Sequence, residues 1–201
     1  MHRDGGDLLT DHRRAFAEHL GLDARCIAFM GAVHGSDVAT ADKPGLYDNV
    51  DALVTDLPGL ALFATFADCY PILVYDPRRR VIGLAHAGWR GTAGGVTTAL
   101  VRAVGGNPHD LVAGLGPGIC GRCYQVSDEV AMPFPDIVKR VDGNGRWLLD
   151  LAEANRLQLI QAGVDPANIH VHGACTKETP DLPSHRRNPD QSRFACLLAL
   201  A

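Results

Sequence analysis

Between residues 51 and 88 four apolar runs follow one another at short intervals: DALVTD (51–56), LALFATFAD (60–68), PILVYD (71–76) and VIGLAHAG (81–88). Each is too short for an ordinary globular helix and rich in residues that suit a pleated surface. The breaks between them are Pro58-Gly59, Asp68-Cys69-Tyr70 and the turn PRRR. Strands spaced so closely leave no room for helical crossovers, which requires antiparallel pairing.

Elsewhere the period changes. DHRRAFAEHL (11–20) carries helix formers with Ala15, Phe16 and Leu20 on one side and Gly21 as a stop. A second helix is expected from Gly94 to Val104. A third runs over DLAEANRLQLIQAGV (150–164), capped by Asp150 and stopped by Gly163. Ser127 is a candidate N-cap ahead of a further turn. CIAFMGAVHG (26–35), LVAGLGPGI (111–119) and NIHVHGACT (168–176) read as strands, the second with a glycine-rich turn. The polar segment 36–49 with Pro44-Gly45 reads as a surface loop, and FACLLAL near the C-terminus suits either a strand or a helix. These elements predict an α+β fold: one domain over 1–201, with a mixed β-sheet core flanked by helices.

Two broad function classes fall away. The formal net charge is −4 and the densest basic cluster, Arg78-Arg79-Arg80, sits in a turn, so no stripe exists for nucleic acid. The N-terminal MHRDGGD lacks an apolar signal core and no stretch approaches a membrane span, which points to a cytoplasmic protein. Six cysteines without a secretory signal are read as thiols or metal ligands.

The run VIGLA closes on HAGWRG (86–91), an ending a buried strand does not need. Three chemistry-bearing residues stand at the ends of apolar segments: His34 after FMGAV, Cys69 after LALFATFAD and His86 after VIGLA. Two imidazoles and a thiolate form a borderline-soft set suited to Zn²⁺, with a fourth tetrahedral position left for water or substrate. Copper is the alternative cation for such donors. Arg90 offers a guanidinium fork for an anion, Gly88 and Gly91 permit close backbone approach, and Trp89 either packs beneath the turn or stacks on a base. Asp68 is a candidate to orient a ligand from behind.

AVHG (32–35), DALVTDLPGLAL (51–62), ADCYPILVYDP (67–77), HAGWRGT (86–92), GLGPGICGRCYQV (114–126), DLAEANRLQL (150–159) and CT…SHRR (175–187) stand in one order along the chain. Together they resemble the multicopper polyphenol oxidoreductase or laccase-domain family, also called YfiH-like. Its members include purine nucleoside phosphorylases and peptidoglycan editing factors. The resemblance, from about residue 7 to 196, implies a catalytic metal triad at His34, Cys69 and His86. It also implies a zinc enzyme that phosphorolyses adenosine, inosine, guanosine and methylthioadenosine and deaminates adenosine. Zn²⁺ brings a coordinated water toward a pKa of ~7, which suits both a hydrolytic and a phosphate-using reaction. Substrate contacts are expected from Arg90, Asp68, Cys123, Tyr124 and Arg186, the partners being a nucleoside and phosphate.

Three departures stand against the family pattern: Ala32 where glutamine usually precedes Val-His, Pro183-Ser184-His185-Arg186-Arg187-Asn188 in place of Phe-Ser-Tyr-Arg-Arg-Asp, and a later start than usual. The resemblance also carries two other activities. A copper polyphenol oxidase of laccase type would need more His-x-His pairs than the one in this chain, which has nine histidines in all. The other is a hydrolase that edits peptidoglycan precursors. CGRC (120–123) is half a zinc site or a redox motif on its face, but no second CxxC exists. His170 and His172 with Cys175 form another candidate chelate, and GLGPG (114–118) is a tight turn whose amides could face a pocket.

Overall fold

Side chains that alternate along each strand feed two different cores, and this alternation sets the layering. In the computed structural model, which describes residues 10–190 and 192–200, β4 (Ala52–Thr55), β6 (Tyr70–Asp76) and β7 (Val81–Ala87) pair antiparallel, β4 on β7 and β7 on β6. Ala52, Val54, Ile72, Val74 and Ala85 pack on one side with Leu100, Val104 and Leu159. Leu53, Ile82, Leu84 and Leu73 pack on the other with Leu62, Ala64 and Phe66.

The first side is covered by α3 (Val96–Val104) and α5 (Leu151–Gln161). Gly83 on β7 lets α3 come close: a Cβ there would lie 2.6 Å from Leu100 Cδ1. Burial of Leu100, Val101 and Val104 contributes about 1.5–3 kcal/mol each. The second side faces another sheet, formed by β13 (Phe194–Leu198), β5 (Ala61–Phe66), β1 (Ile27–Gly31) and β3 (Gly45–Asp48) in that order. The outer face of this sheet, with Ile27, Phe29 and Phe63, is covered by Ala17 of α1 (Asp11–His19). The result is helix, sheet, sheet, helix.

The larger sheet has six strands in the order β12 (Ile169–Val171), β8 (Val112–Leu115), β6, β7, β4 and β2 (Val38–Thr40). A small third sheet joins β10 (Lys139–Val141), β11 (Trp147–Leu149) and β9 (Gln125–Val126), with the one-turn helix α4 (Asp128–Ala131) beside it.

The expected α+β class holds, and β6 pairs antiparallel with β7 and β7 with β4, but β5 pairs with neither β4 nor β6 and joins β1 and β13, so the strands divide between two facing sheets rather than one. The segment 36–49 is not wholly loop. It contains β2, parallel to β4, and β3, parallel to β1, both at sheet edges. Their half-exposed positions tolerate the polar residues that make the sequence read as a loop. The strand expected over 26–35 stops at Gly31, which leaves His34 in a loop. FACLLAL is a strand, pairing antiparallel with β5. The MHRDGGD stretch lies outside the described residues.

Candidate metal centre

The ends of the strands meet on one edge of the paired sheets. β1 and β5 run parallel, so Gly31 and Phe66 finish together and deliver the loops that carry His34 and Cys69. In the larger sheet Tyr70 lies opposite Ala87 and Ala52 opposite Ala85, which sets Cys69 beside Gly88 and Asp51 beside His86. One donor atom from each of His34, Cys69 and His86 lies within 4.8 Å of the others. The two imidazoles meet edge to face at 4.9 Å between ring centres. A Cβ on Gly88 would stand 2.9 Å from Cys69 Sγ and 3.1 Å from the His34 ring, so glycine leaves those two side chains their room.

The residue that organises this cluster is Asp51, which is completely buried. Its carboxylate accepts the successive backbone amides of Val33 (3.1 Å), His34 (2.8 Å) and Gly35 (2.7 Å), and faces Nδ1 of His86 at 3.3 Å. Three convergent amides form an anion nest. They offset the left-handed backbone of His34, at φ +64°, which a non-glycine residue seldom adopts. The bond to His86 fixes that ring's tautomer and leaves Nε2 for a ligand. Burial works against ionisation of Asp51, but the hydrogen bonds from His86, Gly35 and Val33 hold its pKa below the ordinary carboxylate range. Asp51 was legible only as the polar first residue of DALVTD; the signal that could have found it is an aspartate opening an otherwise buried strand.

Cys69 is poised as the ligating form. Burial disfavours its thiolate, yet hydrogen bonds with His34 and His86 bring it down to about 6. Burial likewise disfavours a charged His86, but Asp51 and the Cys69 thiolate raise it to about 9. A cation would take the place of the proton the pair otherwise shares.

Arg90 lies on the short helix α2 (Trp89–Ala93), its guanidinium 4.3 Å over the Trp89 ring, while Trp89 packs against the helix-side core. HAGWRG is therefore a strand end and a helix start. Buried Asn155 of α5 holds α2 by donating to Thr92 Oγ1 at 3.0 Å. Tyr124 is half-buried, with the Arg186 guanidinium 5.1 Å from its ring centre. Burial and then the Cys69 charge push the Tyr124 phenol up to about 12, while Arg186 and Arg90 pull the other way. Tyr124 therefore lies within electrostatic reach of Cys69, Arg186 and Arg90.

Asp68 and Cys123 are placed differently. Asp68, at φ +80°, accepts Thr176 Oγ1 at 2.6 Å and the Arg186 amide at 2.7 Å, so it ties the C-terminal loops to the strand end that carries Cys69. Cys123 donates to Glu178 at 3.3 Å, in a group with Cys120 and Cys175. Cys175 thus lies with those groups, while His170 and His172 are exposed. Of the Arg186-Arg187 pair, Arg187 serves the loop itself: its Nη1 donates to the carbonyls of Thr176 (2.7 Å), Lys177 (3.1 Å) and Thr179 (2.9 Å). Arg187→Ala leaves these carbonyls to water and is expected to cost about 1–3 kcal/mol, read as a lower denaturant midpoint, with Arg187→Lys a poor substitute because it lacks the fork. An unchanged midpoint would contradict that role.

The model of the family described as multi-copper polyphenol oxidoreductase laccase matches residues 2–201. A purine nucleoside phosphorylase of Deinococcus radiodurans is 40% identical over 92% of this chain and 74% of its own length. Adenosine deaminase RL5, from an unknown prokaryotic organism, is 34% identical over 86% of this chain and 74% of its own. The crystal structure of YlmD from Geobacillus stearothermophilus superposes with a TM-score of 0.89 at 35% identity, covering 99% of this chain and 83% of that one. By sequence and by fold, the chain belongs to the multicopper polyphenol oxidoreductase laccase family, with the YfiH and YlmD architecture.

Proposed function

We propose that this chain is a zinc-dependent purine nucleoside phosphorylase that also deaminates adenosine, with inosine, guanosine and methylthioadenosine as further phosphorolysis substrates. The observation that carries the reading is the convergence of His34, Cys69 and His86. One thiolate and two imidazoles are a donor set that suits zinc and leaves a coordination position for chemistry. Relatives named for phosphorolysis and for adenosine deamination support the two activities. Six free thiols suit a reducing cytoplasm.

When bound, zinc supplies Lewis acidity toward the oxygen nucleophile, phosphate in one reaction and water in the other. The chain supplies the rest. Asp51 fixes the His86 ring and the backbone from which His34 projects, so the His86 imidazole is oriented, and His34 placed beside it, before any ligand arrives. Arg186, against the Tyr124 ring, and Arg90, whose charge also acts on Tyr124, provide the positive charge that draws phosphate in and offsets charge growing on the substrate. Tyr124, kept neutral, is a hydrogen-bond donor and an aromatic face for a purine. Asp68 acts as a positioning residue through Arg186 and Thr176, and Cys123 through the loop that bears Tyr124.

Arg90→Ala is expected to raise the KM for phosphate by about 10–100-fold, the loss of a charge-assisted contact, while metal content and phosphate-independent deamination change little. A phosphate KM equal to that of the parent would remove Arg90 from the anion site. The activity itself is tested by incubating zinc-loaded protein with adenosine, with and without phosphate, and separating the products. Adenine that depends on phosphate, together with inosine that does not, is the expected pattern. A zinc-loaded protein that yields neither overturns the reading; hydrolysis of peptidoglycan precursors, or oxygen uptake on polyphenols by copper-loaded protein, would then name the alternative.

A further inference from the structure

We propose that the chain holds a second metal site, built by Cys120, Cys123, Cys175 and Glu178, which takes a thiophilic divalent cation of the zinc type in a closed, structural coordination. Three thiol sulfurs and one carboxylate oxygen from two separate loops lie within 4.8 Å of one another. Neither loop explains this convergence alone.

The two loops have the same form. In Cys120-Gly121-Arg122-Cys123 the amides of Cys123 and Tyr124 return to the Cys120 carbonyl at 2.9 and 3.0 Å. In Cys175-Thr176-Lys177-Glu178 the amides of Glu178 and Thr179 return to the Cys175 carbonyl at 3.1 and 2.9 Å. Each is thus a tight turn with a ligand-type side chain at its first and fourth residues, so the missing second CxxC of the sequence is supplied as a CxxE. A parallel bridge between Gly118 and Cys175 sets the turns side by side, with the Thr176 amide donating to the Gly118 carbonyl at 3.0 Å. The Cys120 amide crosses from one turn to the other and donates to Cys175 Sγ at 3.4 Å. Gly121 is pressed on the start of α5, where a Cβ would lie 2.8 Å from Asp150 Cβ, so this turn is held from behind.

Three thiolates select a soft or borderline cation over magnesium or calcium, and four protein ligands leave no open position, the mark of a structural rather than a catalytic centre. Arg122 Nε donates to Glu178 Oε1 at 2.9 Å, and its positive charge offsets part of the negative charge that four anionic ligands leave around a divalent ion. Access is open: a cleft of about 470 Å³, lined by Cys120, Arg122, Lys139 and Asp150 among others, borders the cluster. The site would clamp the loop after β8 to the loop that leads to Arg186. Both loops are bonded to Asp68, through the Ile119 amide at 2.9 Å and Thr176 Oγ1 at 2.6 Å. A cation here would therefore steady the loops beside Cys69 without taking part in the reaction.

The test is a titration of the intact, reduced, chelator-stripped protein with Co²⁺, followed by the thiolate-to-cobalt charge-transfer band and by bound metal per chain. Two equivalents are expected for the parent. Cys123→Ser and Cys175→Ser should each lose one, the half-buried Cys123 serving as the control should the buried Cys175 prove necessary for folding. Cys69→Ala should retain one equivalent with a band of multi-thiolate intensity. If Cys69→Ala binds as much metal as the parent while Cys123→Ser loses an equivalent, the second site stands and the first falls. A single equivalent that Cys69→Ala abolishes, full binding in Cys123→Ser, or a disulfide among Cys120, Cys123 and Cys175 in the reduced preparation would overturn the proposal.

Discussion

Cys69→Ala protein is expected to lose one equivalent of bound zinc and to turn over nucleosides more than about 10³-fold slower than the parent, with little change in its melting temperature. Cys69 is the single anionic ligand of its cluster, and its sulfur is held by hydrogen bonds to both imidazoles. Without it, His34 and His86 remain as the two imidazole donors, too few for a tetrahedral centre. The fold should tolerate the change because Cys69 is a half-buried residue in the bend between β5 and β6, packed against the rim of the layer that Leu53, Leu84 and Phe66 fill and not part of its buried interior. Metal analysis and denaturation of the same sample separate the two effects. An active Cys69→Ala enzyme, or one that fails to fold, would remove the residue from the role assigned to it.

Asp51→Asn should be nearly as damaging by a different route. The carboxylate accepts four N–H groups, and one of its oxygens takes two of them, from Val33 and Gly35. An amide must turn its NH₂ toward either that pair or the pair from His34 and His86, which sets donor against donor. The left-handed turn at His34 then lacks its support and the His86 ring its anchor. The expected cost is about 2–4 kcal/mol in stability, together with a metal affinity lowered about 10–100-fold, the usual effect of removing a partner behind a ligand. Competition with a chromophoric chelator measures the second quantity. Parent-like metal affinity in a folded Asp51→Asn protein would show that the carboxylate does not orient the ligands.

Particular residues show how far the sequence could be read. β4 to β7 were legible because their alternation serves two buried faces, so each run is apolar throughout and its ends are marked by Pro58-Gly59 and the arginine turn. Asp150 and Gly163 bounded α5 for local reasons: Asp150 accepts the Glu153 amide, and Gly163 takes φ +98°. β2 and β3 were hidden because edge strands are specified by the strand they join more than by their own residues. The division into two sheets is a matter of which strand pairs with which, and a periodic pattern is silent on that.

The candidate site divides in the same way. His34, Cys69 and His86 declared themselves as polar residues at the ends of apolar runs. Asp51 did not, since its importance lies in three backbone amides and one ring that reach it from 16 to 18 and 35 residues away. Gly88 reads as a turn residue in the sequence, whereas in space it is the gap that admits a sulfur and an imidazole. The CGRC motif looked like half a site because its partner, Cys175 with Glu178, lies in a different loop and ends in a carboxylate.

The most direct test of the central claim is adenosine turnover by chelator-stripped protein as zinc is restored stepwise, with and without phosphate. The stripped protein should be inactive, and activity should return with zinc as adenosine deamination whether or not phosphate is present, joined by adenine release only when it is. Full activity in the stripped protein, or a zinc-saturated protein that forms neither product, would contradict that claim.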